Sequence, residues 1–257
     1  MVPIFSLWVL LGVMTPITPH VDVGSSEIEL ALVPDHISVG ASYHGTTVRV
    51  SADIPPCDGV AVVLEGDEED VTLNRKGKVV GLWLNVASVT VHGAPRVYVV
   101  ASSNELTDLC QTHQRLELGL GFDALAERIR FKSDKPLTGS EFEQFLRLME
   151  YRGTYATGTP IEVKDVDAGH RRASTTLPIP SCVGPGGYSV SLYCFEGGEL
   201  VGRATAGLSI EAVGLPRLMK RLAFGHPAVH GILAVVVALA AGATMGLIFN
   251  TRSRRRK

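Results

Sequence analysis

Charge is missing over one long stretch of this chain: residues 228–249, AVHGILAVVVALAAGATMGLIF, contain no Asp, Glu, Lys or Arg, and no acidic residue follows Glu211. Also missing are the short motifs that announce a reaction. There is no HExxH, GxSxG, CxxC or Walker A sequence, and no GxGxxG leading from a strand into a helix. The glycine clusters GPGG (184–187) and FEGGEL (195–200) lead into strand-like segments, so neither offers the helix N-terminus that cradles phosphate. The acidic run EGDEED (65–70) lacks the ligand spacing and glycine position of a calcium loop, which leaves a solvated loop as its simplest reading. His36 and His44 share strand parity, too little by itself to hold a metal. No catalytic, metal or cofactor residue is therefore expected, and the chain reads as a non-enzyme.

The total charge is nearly balanced, with 24 basic against 26 acidic residues, but its placement is not. Five basic residues (Arg252, Arg254, Arg255, Arg256 and Lys257) follow Phe249, leaving 19 against 26 for the remainder. An acidic body is a poor match for a phosphate backbone, so nucleic acid is not an expected partner. As a helix, residues 228–249 would extend about 33 Å, enough for a hydrocarbon core of about 30 Å. That length predicts a transmembrane helix in contact with lipid, with residues 250–257 as a basic cytoplasmic tail. A buried helix of a soluble domain is the alternative, and Arg217, Lys220 and Arg221 crowd the other flank.

Residues 1–24 contain an apolar core at 4–14, IFSLWVLLGVM, followed by the proline-broken TPITPH. A cleaved export signal, an uncleaved short anchor and the buried start of a soluble domain all fit it, although no Lys or Arg precedes the core. The first two place residues 25–215 outside the cytoplasm.

Between the ends the chain changes period twice. Residues 25–101 form short β runs, with Val48, Val50 and Ala52 on one parity and with PPCDG and NRKGK as turn-like separators. Residues 102–156 read as helical. Leu106, Leu109, Cys110, His113 and Leu116 fall near one face, with Ser102 and Glu105 spaced as a capping box. Ser140 and Glu143 repeat that spacing before a stripe of Phe142, Phe145, Leu146 and Met149, which suits core packing. Alternation returns over 157–215, where Gly197 and Gly198 predict a tight hairpin. This second β-rich region either completes the first or follows it, and a linker over 216–227 leads to the apolar run. The expected fold class is mainly β: an exported β-sandwich-like domain or domains with a small helical middle and one C-terminal transmembrane helix.

Four cysteines, at 57, 110, 182 and 194, become disulfide candidates once export is expected. Cys182 and Cys194 flank a glycine-rich segment and form the preferred local pair, with Cys57 and Cys110 as its complement. Trp83, in GLWLN, lies on the parity opposite Leu82 and Leu84. If the leucines face a core, Trp83 points outward, either covering the helical middle or anchoring a partner. Ala238, Gly242 and Gly246 recur every four residues and form a small-residue stripe, suited either to close helix docking or to lipid.

Several stretches together resemble a known family: HISVGASYHGTTVRVSADIP, DGVAVVLEG, NRKGKVVGLWLNVASVTVHGAPRVYVVASS, ASTTLPIP and GPGGYSVSLYCFEGGELV. The chain is similar over residues 27–249 to transmembrane proteins of uncharacterised function described mainly from alphaproteobacteria. The most specific piece is GLWLNV with APRVYVVAS, through Trp83, Asn85, Pro95 and Tyr98. That resemblance implies an exported domain on one C-terminal anchor, no established activity, and a neighbouring permease of the sulfite-exporter type. The resulting expectation is a single-pass inner-membrane protein with a periplasmic body. It would act as an accessory or assembly partner of a small-anion permease, or self-associate, through its transmembrane helix. An exported metal-binding protein or enzyme with a non-motif site, and a structural envelope protein, are the alternatives.

Overall fold

The computed structural model describes residues 28–137, 139–167, 170–214 and 227–254. The expected signal at 1–24 and nearly all of the linker at 216–227 lie outside the described residues. The first sheet contains β1 (Glu29–Val33), β3 (Thr46–Ile54), β10 (Glu162–Asp167) and β11 (His170–Ile179), in the antiparallel order β1-β3-β11-β10. Its register follows from alternation. Val48, Val50, Ala52 and Ile54 of β3 are buried, while the intervening residues face outward or lie at intermediate depth.

The second sheet contains β2 (His36–Val39), β4 (Gly59–Gly66), β7 (Tyr98–Ser102), β9 (Tyr155–Pro160), β12 (Gly186–Glu196) and β13 (Glu199–Ala212). Its order is β2-β13-β12-β4-β7-β9. Strands from before and after the helical middle thus meet in both sheets. Gly197 and Gly198, at φ of 57° and 85°, turn β12 into β13. Strand β4, GVAVVLEG, is buried at nearly every position because apolar layers cover both of its faces. Val60, Val62 and Leu64 join Val190, Leu192 and Cys194 in a core shared with the first sheet. Ala61 and Val63 face a second core with Tyr98, Val100, Tyr193 and Phe195.

The second core is roofed by the helical middle, which is also the crossover that parallel strands β7 and β9 require. It comprises α1 (Leu106–Leu109), α2 (Thr112–Glu117), α3 (Phe122–Arg128) and α4 (Glu141–Tyr151). The predicted capping boxes do not form as such. Glu105, not Ser102, occupies the cap position of α1, and no side-chain cap bond is made there or at Ser140. Gln144 Nε2 instead donates to Ser140 Oγ at 2.8 Å. Phe145 and Met149 of α4 enter the core, flanked by Phe142 and Leu146. A third sheet, β5 (Glu68–Val79), β6 (Leu82–Pro95) and β8 (Arg130–Ser133), springs from this layer.

The last helix, α5 (Pro227–Arg254), contains the stretch read as a transmembrane anchor. Among the described residues, no helix is long and apolar enough to cross a membrane. The transmembrane-helix part of the fold expectation is corrected accordingly. The single-pass inner-membrane topology, the periplasmic body with a cytoplasmic tail, the lipid contact and the accessory role through that helix all depended on it. So did docking to a permease or to a second copy, and all are withdrawn. Ala238 and Gly242 are exposed on α5, and the side of Gly246 lies outside the described residues.

Candidate functional site

The hairpin of β5 and β6 divides into a held root and a free tip. At the root, the acidic run read as a solvated loop is almost fully engaged. Glu65 and Glu68 accept from Arg128 Nη2 at 2.5 and 3.1 Å, and Glu69 accepts from Arg96 Nε at 2.9 Å. Asp70 lies 3.0 Å from His92 Nδ1, and Asp67 accepts the Gly187 amide at 3.1 Å. The hydrogen bond that Arg128 donates to Glu65 is the main cause holding Arg128 more firmly protonated than usual, against partial burial. These carboxylates are committed to holding the hairpin. No group of three metal-ligating side chains occurs among the described residues, so the metal-binding alternative finds no site there.

Strand β8 pairs only with His92, Val91, Thr90 and Val89. Among the described residues, the last hydrogen bonds from β6 to the body are at Ser88, whose amide donates to Asp134 Oδ1 at 3.0 Å and whose carbonyl accepts from Ser133 Oγ. Beyond it the ribbon has two strands only. From Asn74, opposite Ser88, to Val79 it advances five residues, about 17 Å.

Cross-strand pairs assign the tip two faces. Val79 with Leu82, and Gly77 with Leu84, present an aliphatic face. Lys78 with Trp83, and Lys76 with Asn85, present an aromatic and cationic one. All of the large side chains are exposed, Trp83 at 70% and Val80 at 98%. Arg75, Lys76 and Lys78 are exposed and enter no ion pair among the described residues, and no acidic residue occurs between Asp70 and Glu105.

The turn itself is strained. Val80 and Gly81 form the two-residue loop with φ of 48° and 83°, a pair of left-handed positions that favour Asn-Gly. A β-branched residue there costs about 1–2 kcal/mol. Just below, the register slips between Arg75 and Lys76, and Val86 lies across Gly77. A Cβ on Gly77 would come within 2.8 Å of both Val86 methyls, so the irregularity depends on glycine.

A cleft of about 650 Å³ opens beside the root, bordered by Glu69, Arg96, Phe145, Arg152, Tyr155 and Cys182. Its polar groups are largely occupied: Arg96 Nη1 donates to the Pro185 carbonyl at 2.9 Å and Tyr155 Oη donates to the Pro95 carbonyl at 2.7 Å. Burial raises the Tyr155 hydroxyl above its ordinary range, which keeps it a neutral donor at neutral pH. No nucleophile stands against a base in this cleft.

The expected local disulfide is not formed. Cys182 is exposed beside the Arg152 carbonyl, whereas Cys194 is buried between the sheets. Strand β12 runs between them, and residues 186–194 alone span about 26 Å, far beyond a bond's reach. Cys57 and Cys110 lie in different cores on opposite faces of the second sheet. Trp83 does not cover the helical middle, and Leu82 and Leu84 do not face a core. The ribbon outruns the body, so both parities meet solvent. Sequence reasoning placed the turn at NRKGK and missed the break at Val80-Gly81, where the only local signal was the glycine.

Residues 27–251 match the model of a protein family described as "Putative transmembrane protein (Alph_Pro_TM)". No curated protein and no solved structure matches the chain.

Proposed function

The chain belongs to that family, and on that premise we propose that it is a non-catalytic partner-binding module whose working part is the tip of the β5–β6 hairpin. The tip seats in an apolar cleft of another protein, with carboxylates on the cleft's rim. The observation that carries this reading is the coincidence of Trp83, Leu82, Leu84 and Val79 around the strained Val80 turn, with Arg75, Lys76 and Lys78 behind them, which enter no ion pair among the described residues. A turn that exposes valine in a left-handed conformation sacrifices stability of the free protein. Strain of that kind at an exposed tip is expected where the tip is used. The two faces divide the labour: aliphatic and aromatic groups supply burial, while the cations select an acidic rim and speed encounter. A finger about 17 Å long and two strands wide fits a cleft better than a flat surface.

The test places a photoreactive residue at Val80 in the full chain. Irradiation in cells should produce one discrete protein adduct, and the captured protein, purified and recombined with this chain, should bind it directly. Trp83→Ala should then weaken the complex about 30-fold, as loss of about 2 kcal/mol at a hot spot does. Reversing Arg75, Lys76 and Lys78 to Glu should slow association and reduce its salt dependence. Adducts scattered over many proteins, or capture by vesicles containing anionic lipid at the same tip, would overturn the protein-cleft reading.

A further inference from the structure

Cys57 lies on the connector that carries the chain from β3 in the first sheet to β4 in the second. Its neighbour Asp58 donates its amide to the Phe195 carbonyl at 2.8 Å, which brings the connector against β12. Cys194 points from β12 into the core between the sheets, which Cys57 also enters, and each thiol is the group that most perturbs the other. Cys57 also has an outer side. A recess of about 210 Å³, lined by Cys57, Ser103, Asn104, Ile161, Val163 and Arg171, reaches it from solvent. Arg171 is fastened there, its Nη1 donating to the Cys57 carbonyl at 2.8 Å and its Nε to Asp165 at 3.0 Å.

Cys57, 6% exposed, thus borders the recess, and Cys194 lies deeper in the same core. We propose that Cys57 and Cys194 form a redox-responsive dithiol, closed to an intramolecular disulfide by exchange with a small disulfide that enters the recess. In the first step the Cys57 thiolate attacks one sulfur of the incoming disulfide, forming a mixed disulfide and releasing one small thiolate. In the second, Cys194 gives its proton to the departing thiolate and attacks the Cys57 sulfur, releasing the second small thiol. Two protein thiols and one small disulfide become one protein disulfide and two small thiols, so electrons and protons balance.

The division of roles follows from the surroundings. Interaction with the Cys194 thiol, aided by the Arg171 charge and opposed by burial and Asp58, holds the Cys57 thiol below its ordinary range. The same contact, with burial, raises Cys194, so the shared proton stays on Cys194. The bond would fasten the connector to β12.

The experiment uses the full chain with Cys182→Ser, which removes the exposed thiol. The reduced protein is exposed to oxidised glutathione and followed by intact mass and peptide mapping. The expected product has lost two hydrogens, carries no glutathione and yields a Cys57–Cys194 linked peptide. Cys194→Ala should stop at glutathione on Cys57, and Cys57→Ala should slow all thiol loss about tenfold or more. Should Cys194→Ala fail to fold, the pH profile of alkylation in the Cys182→Ser protein supplies the second readout. The fastest thiol should map to Cys57, with a midpoint below that of an ordinary thiol. Glutathione persisting on Cys57 in that protein would overturn the proposal. So would links through Cys110, or a Cys57 that stays reduced while glutathione is oxidising.

Discussion

Strand β4 and the tip of the β5–β6 hairpin use much the same residues to opposite ends. GVAVVLEG is buried on both faces between two apolar layers, whereas VVGLWL, which starts twenty residues after it does, is exposed on both. The difference lies in neighbours. β4 has β12 on one edge and β7 on the other, while the tip has only its own return strand. Apolarity therefore marks the folding core in one case and an unfilled contact in the other. The fate of a Val or Leu is decided by what the topology brings alongside it.

The sharpest way to break this comparison is to remove equal bulk from each region. Leu192→Ala, 1% exposed between the sheets, should destabilise the protein by about 3 kcal/mol, while Leu82→Ser at the tip should change stability by less than about 0.5 kcal/mol. Denaturant unfolding monitored by circular dichroism reads both. Equal effects would show that the tip is packed in solution.

A smaller effect should appear in alkali, in the core alone. Burial raises the hydroxyls of Tyr98 and Tyr155 above the ordinary value of 10.0. The folded chain therefore keeps protons that the unfolded chain releases. Their contribution is fully present below about pH 10 and is lost as pH climbs beyond it. The unfolding midpoint should hold steady to about pH 10 and then fall, and Tyr155→Phe should make the fall shallower. A midpoint flat to about pH 11.5 would sink this account.

The smallest effect concerns the turn. Val80→Asn places a residue that tolerates the left-handed conformation before Gly81, and it should stabilise the free protein by about 1 kcal/mol. The same substitution should weaken partner binding by removing apolar area. Thermal melts and the reconstituted complex measure the two signs separately, and a loss of stability would show that Val80 is packed.

What could be read from residues alone was local. The Gly197-Gly198 turn and the stripe of Phe145 and Met149 on α4 were visible, because a hairpin and a helix face are written in neighbouring positions. Pairings between distant strands were not. Nothing near Val48 names Leu177 as its partner, and nothing near Cys57 names Cys194. The tip was misread for a different reason. Reading KVVGLWLNV as one strand assumes that its apolar residues are buried, and here the assumption fails. The disulfide reading failed because GPGG suggested a short loop, whereas an eleven-residue strand follows it.

The pairing of strands across the chain also sets an order of events during synthesis. Val60 lies beside Cys194 in the second sheet, and Val48 beside Leu177 in the first. At about 5–20 residues per second, β4 leaves the ribosome on the order of ten seconds before β12 can cover it. Until then GVAVVLEG is an uncovered apolar strand with an open edge, the part of the nascent chain most exposed to misassociation. The β5–β6 ribbon needs no such wait. Its strands are joined by a two-residue turn and can pair as soon as they emerge. A ribbon whose tip adds nothing to the finished core can thus form early, whereas the most deeply buried strand is among those that wait longest to be covered.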